Sequence, residues 1–186
     1  MGGMVAMEVL RRAADRVTRI ALISTTPQAD TPEAAAAREP HIIAARSGRM
    51  ADVLQHEINS TWMAPSSDKV ELVRQLTGMG NALGPETYVK QARCLQRRKD
   101  QQATLRRIKQ PTIVVCGRHD GQYQLKRHEF LAELIPYAQL EVIEGAGYLP
   151  TLESPDAVSD VLRNWMKTPL LLRSQTPGEF ASRRQR

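Results

Sequence analysis

The residues able to do chemistry gather in a few short stretches. Gly145 to Pro155 reads GAGYLPTLESP, a loop that leaves an apolar run and precedes a helix, with Tyr148 near its centre. Cys116-Gly117-Arg118-His119-Asp120 sets a thiol, an imidazole and a carboxylate close together. That set invites a thiol–imidazole dyad, although Cys116 closes an apolar run, where free cysteine is a common core residue. His56-Glu57 and His128-Glu129 each pair a histidine with a glutamate, but neither is followed by the second histidine that a helical zinc site requires. His41 has no evident partner. Gly78-x-Gly80 lies between helical stretches with no strand ahead of it, so it is no phosphate-binding loop. No metal and no cofactor are expected from these stretches.

Composition narrows the possibilities further. The chain has 186 residues, enough for one core with an inserted subdomain, and its 41% apolar and 25% charged residues are ordinary for a soluble globular protein. No apolar run approaches the ~18 residues of a membrane span. The start of the chain, MGGMVAMEVLRRAADRV, lacks the basic-then-apolar order of a secretory signal, and Ala6 stands where a myristoylation signal wants a hydroxyl. Two cysteines, Cys94 and Cys116, suit a reducing compartment, so a cytoplasmic location is expected. The net charge of +6 is local: Lys90 to Lys109 holds eight basic residues against the single acid Asp100. Few aromatics accompany these charges, so they read as a solvated helix face and a basic tail rather than a nucleic-acid site.

Three β-rich runs must position the chemistry: Val17–Ser24, Thr112–Cys116 and Leu140–Ile143. Their near-continuous apolar character predicts strands of a parallel sheet. Helical patterns precede the first run (Gly3–Ala13), join the second to the third (Leu125–Ile135) and follow the third (Pro155–Met166). Ser154 sits at the N-cap of the last helix, with Pro155 at its first position. This rhythm implies crossover helices packed on the sheet. Residues 28–104 read differently, as helices at Glu33–Arg46, Met50–Thr61, Asp68–Thr77 and Glu86–Arg98, with breaks at Gly48, Pro65, Gly78-Met79-Gly80 and Gly84-Pro85.

Three segments then resemble the α/β-hydrolase superfamily, in its capped esterase, lactonase and haloperoxidase-like branch. MGGMVAMEVLRRAADRVTRIALISTTP resembles the helix after the nucleophile elbow and the strand that follows it. LRRIKQPTIVVCGRHD resembles the next strand and its acid-bearing turn, and LIPYAQLEVIEGAGYLPTLESPDAVSDVLRNWM the last strand, its histidine loop and the final helix. The resemblance implies the later part of an α/β-hydrolase fold. Residues 1–27 and 105–168 would form a partial core, 28–104 an all-helical cap or lid, and 169–186 a basic, flexible tail.

It also implies a function, hydrolysis of a carboxylic ester or lactone through an acyl-enzyme, and a place for each part of the machinery. The acid falls on Asp120, whose plainer reading is a turn cap. The histidine falls on Tyr148, a phenol unsuited to accept a proton at neutral pH. Tyr148 could instead hydrogen-bond Asp120 and keep the loop packed. Met1 takes the oxyanion-hole position after the nucleophile of G-x-S-x-G, and the serine itself has no counterpart in the sequence. The chain is therefore expected to be inactive as it stands, and an alternative is a non-catalytic binding or regulatory module or a truncated gene product. A small apolar ester-like ligand would occupy the lid cleft, and strand 17–24 would offer an open edge for homodimerisation or aggregation. No nucleic acid and no membrane are expected as partners.

Overall fold

Each of the three apolar runs forms a strand. The computed structural model describes residues 1–168, so the tail of 169–186 lies outside the described residues. In chain order the elements are helix α1 (Gly2–Ala13), strand β1 (Ile20–Ile23), helices α2 (Pro32–Ala37), α3 (Glu39–Arg46), α4 (Met50–Glu57), α5 (Lys69–Arg97) and α6 (Gln102–Leu105), strand β2 (Thr112–Gly117), helix α7 (Leu125–Leu134), strand β3 (Gln139–Ile143), and helices α8 (Pro150–Glu153) and α9 (Pro155–Met166).

The strands pair in the order β1-β2-β3, all parallel, with Leu22 beside Val114 and Val114 beside Leu140. Alternation then sends these residues to one face, where Met7 and Leu10 of α1 and Leu131 and Leu134 of α7 cover them. Ile113, Val115 and Ile143 face the other way, onto Val158 and Trp165 of α9. Leu22, Val114 and Met7 are fully enclosed, and side chains of this kind each contribute about 1.5–3 kcal/mol on burial. Only β2 is buried along its whole length. β3 alternates between exposed and covered positions because successive side chains point to opposite faces, leaving Gln139 and Glu141 exposed while Leu140 packs on the core. β1 likewise pairs on one side among the described residues, so the open edge spans Ile20–Ile23 rather than 17–24.

The first strand starts late for a physical reason. Arg19 turns away from the ladder and donates to the carbonyls of Trp165 and Thr168, its guanidinium lying over the Trp165 ring. Between β1 and β2 the described chain is helical, as the sequence predicts, but its divisions differ. The expected helix Glu33–Arg46 is two, α2 and α3; α2 is capped by Thr31, whose hydroxyl accepts from the Ala34 N–H at 3.2 Å. The expected helix Met50–Thr61 ends at Glu57. The expected break at Gly78-Met79-Gly80 is absent. Helix continues through it, and Gly80 instead allows α5 to press on Leu54, which any Cβ there would strike. The interruption falls at Gly84, whose φ of 74° and ψ of 169° precede Pro85, a residue that cannot donate to the turn before it. Past this kink, Val89 and Ala92 pack on Ile42, Ala45 and Val53.

Candidate active site

The turn after β2 carries Asp120. The Asp120 Oδ1 accepts from the backbone N–H groups of Gln122 (2.9 Å) and Tyr123 (2.7 Å), a local arrangement aspartate makes readily. This turn is locked to the loop after β3: Arg118 N–H donates to the Ile143 carbonyl and His119 N–H to the Ala146 carbonyl, each at 3.0 Å. Gly117 makes the approach possible, since a Cβ there would stand 2.2 Å from the Gly147 carbonyl oxygen. Asp120 and Tyr148 are thus brought to neighbouring loops at the same end of the sheet.

The second carboxylate oxygen of Asp120 is buried and has no hydrogen-bond partner. Tyr148 does not supply one, so the hydrogen bond proposed for that pair is not formed. Burial pushes the Asp120 carboxyl up to about 6, against the two backbone N–H groups and the nearby Ser24 hydroxyl, which lies close without hydrogen-bond geometry. Behind Asp120 stands His128 of α7, fully enclosed, with its Nε2 3.8 Å from Asp120 Oδ2 and neither ring nitrogen bonded. Burial lowers His128 to about 4, so the ring is neutral. Ser24, at the end of β1 with φ of 41°, and Thr25 also bury unpartnered hydroxyls. All five buried side-chain polar atoms without partners among the described residues therefore sit on Ser24, Thr25, Asp120 and His128. A serine, a histidine and an aspartate do gather here, but an imidazole sealed from solvent and unbonded to the serine cannot act as its base toward a substrate.

Tyr148 is half-buried, between the edges of Trp62 and Tyr123, each with its centroid 5.8 Å away. Burial, then Tyr123, Asp120 and Glu57, push its phenol up to about 12. It walls a cavity of about 130 Å³ with Glu57, Trp62, Met63 and Leu76. The loop that bears it is held by Glu153, a residue whose role the sequence reading missed. Glu153 accepts from the N–H groups of Gly147 (2.9 Å), Leu149 (2.9 Å) and Ala64 (2.7 Å) and from the Ser67 hydroxyl (2.7 Å). Despite partial burial, these donors hold its carboxyl below the usual range. Tyr148 N–H adds a 2.7 Å bond to the Trp62 carbonyl.

Other candidates separate. Cys116 is fully buried, and burial, then Asp120, raise its thiol to about 12, while His119 is exposed and makes no bond to it. His41, expected to be alone, bonds Glu57 at 3.2 Å and lies beside His56 with the rings tilted by 53°, and the Tyr88 hydroxyl donates to the same Glu57 oxygen. Ser154 stands at the N-cap of α9, but its hydroxyl donates toward the Gly145 carbonyl instead of capping. Met1 precedes α1, its carbonyl accepting from Met4 and Val5, and it lines a different cleft from the Tyr148 cavity. Among the described residues no three His, Cys, Asp or Glu side chains are grouped to hold a metal. No helix among them is long and apolar enough to cross a membrane.

The buried charge has a testable consequence. With a folded pKa near 6 against an ordinary 3.8, Asp120 weakens the fold progressively as pH rises between those values. Asp120→Asn is expected to stabilise the chain by about 2–3 kcal/mol above pH 7, converting roughly two pKa units at 1.36 kcal/mol each. The gain should fade toward pH 4, which urea unfolding across pH measures. His128 acts in the opposite sense in both proteins, losing stability as pH falls from 6.5 toward 4. A gain that does not change with pH would contradict the assignment.

Comparison with known proteins places these features in context. The sequence profile described as "Alpha/beta hydrolase family" matches residues 1–161. The chain is 29% identical over 190 aligned positions to a pimeloyl-[acyl-carrier protein] methyl ester esterase of Aromatoleum aromaticum, covering 88% of this chain and 71% of that one. Among solved structures it is similar to a thermophilic esterase from Thermogutta terrifontis, with a TM-score of 0.84 and 28% identity over 89% of this chain and 61% of that one. It also shares the fold of an enol-lactonase from Burkholderia xenovorans, with a TM-score of 0.76 and 22% identity over 90% of this chain. The chain spans 61% and 63% of the lengths of those two structures.

Proposed function

Because the chain belongs to the alpha/beta hydrolase family, we propose that it is a carboxylic-ester or lactone hydrolase scaffold, with Asp120 in the acid's place and Tyr148 in the base's, and that its 186 residues turn over no ester themselves. Esterase and lactonase relatives support the reaction class. One observation carries the inactive reading: the outer oxygen of Asp120 is buried and unpartnered beside the loop of Tyr148. An imidazole in that loop would give this oxygen an N–H donor and be held in one tautomer by it. A phenol pushed up to about 12 neither donates to Asp120 here nor accepts a proton near neutrality. The helices of 28–104 would serve as the lid, with Trp62 and Glu57 bordering the Tyr148 cavity.

Carbon-13 titration of the Asp120 carboxyl tests the pairing. The carboxyl should titrate near 6 in the parent chain. In Tyr148→His it should fall by about one unit or more, because a donor to the charged form favours ionisation. An unchanged midpoint would remove Tyr148 from the base's place. A second reading, a binding module, is favoured by an open cleft that neither residue lines.

A further inference from the structure

A cleft of about 530 Å³ separates α1 from the second arm of α5, a volume in the usual range for small-molecule sites. Its α1 wall is the stripe Met4, Val5 and Glu8, with Met1 just ahead of the helix; its α5 wall is the stripe Gln91, Cys94, Leu95 and Arg98. Both follow helical spacing, so each helix turns one continuous face to the gap. Val5 is 57% exposed although large and apolar. Methionine is unbranched and polarisable, and fits flexible chains of varied shape. No aromatic residue lines the cleft, so it has no platform for a base or another flat ring.

The rim is basic. Glu8 is the one acid that lines it, and Glu8 is already held by Arg11, Arg12 and the Gln101 amide. Arg93 is taken by Glu39 and Arg98 by Asp30. Lys90, Arg97 and Lys99 also line the cleft and have no ion-pair partner among the described residues. An apolar trough with spare cations at its edge complements a molecule with an apolar chain and one anionic end.

We infer that this cleft binds a linear aliphatic carboxylate, its chain along Met4, Val5 and Leu95 and its head group at Lys90 and Arg97. The inference does not rest on the roles given to Asp120 and Tyr148, which lie outside the cleft. It is tested with the 186-residue chain, carbon-13-labelled at the methionine methyls, titrated with decanoate below its micelle concentration and, separately, with decyltrimethylammonium. Decanoate should move the Met4 methyl and leave those of Met63 and Met79 in place. It should also bind about tenfold or more tightly than the cation, a difference of about 1.4 kcal/mol. The exposed double change Lys90→Glu/Arg97→Glu, its fold checked by circular dichroism, should erase or reverse that preference. Equal affinity for both head groups, a preference that survives the double change, or an unmoved Met4 methyl at saturation would overturn the inference.

Discussion

Purified as 186 residues, the chain is expected to hydrolyse p-nitrophenyl acetate, p-nitrophenyl butyrate and simple lactones no faster than buffer. Triad chemistry of this family needs a serine at a strained turn, a base within reach of its hydroxyl and an acid behind the base. The sequence of these 186 residues contains no G-x-S-x-G. Ser24 has the positive φ of a tight turn, yet its hydroxyl is buried and unbonded. Among the described residues the imidazole against Asp120 is that of His128, sealed inside α7's core face. Losing serine or histidine from such a set costs on the order of 10⁶ in turnover, and losing both costs little more. Tyr148→His alone should therefore restore nothing measurable in a continuous absorbance assay, even while it changes the Asp120 titration. Turnover near the ~10 s⁻¹ typical of enzymes, following the protein through purification, would contradict this.

The second large effect concerns Glu153. Its two carboxylate oxygens take four donors from two places in the chain: Ala64 and Ser67 in one, Gly147 and Leu149 in the other. Together they fasten the Tyr148 loop to the segment after Trp62. Glu153→Ala strands three backbone N–H groups at once, and bonds to a charged acceptor contribute about 1.5–3 kcal/mol each when wholly buried. Because the site is partly open, water recovers some of that, and the expected loss is about 3 kcal/mol in all. For a chain of this size that lowers Tm by roughly 10 °C. The parent should also weaken as acid protonates Glu153, since its folded pKa lies below the ordinary value and its contribution is present only above that range. Thermal unfolding of Glu153→Ala and Glu153→Gln measures both points, with Gln intermediate because it keeps one acceptor. A loss under about 1 kcal/mol would reduce Glu153 to a surface contact.

Much of the fold can be read directly from the residues. Thr112–Gly117 is a central strand because every side chain is apolar or small, and α9 announces itself through Pro155, Asp156 and the stripe of Val158, Leu162 and Trp165. The kink at Gly84-Pro85 was legible from the two residue types alone. Gly78 and Gly80 were not, because Gly80 answers to Leu54, a contact made far away in sequence. The late start of β1 depends on Arg19 reaching Trp165 and Thr168, again a long-range choice. In the candidate site, Asp120 and Tyr148 are the positions that the family resemblance implies for the acid and the base. His128 carried a weaker signal, one helical step from Leu131 on α7's buried face. Glu153 carried none, since its partners lie in separate loops.

Whether any serine here is an activated nucleophile can be read directly with a fluorophosphonate, which bonds covalently to a serine hydroxyl only where a base assists it. Intact-mass measurement after incubation should return the unmodified mass of the chain. A stoichiometric phosphonyl adduct, mapped by peptide sequencing to Ser24 beside Asp120 and His128 or to any other serine, would show a working catalytic centre and contradict the inactive reading.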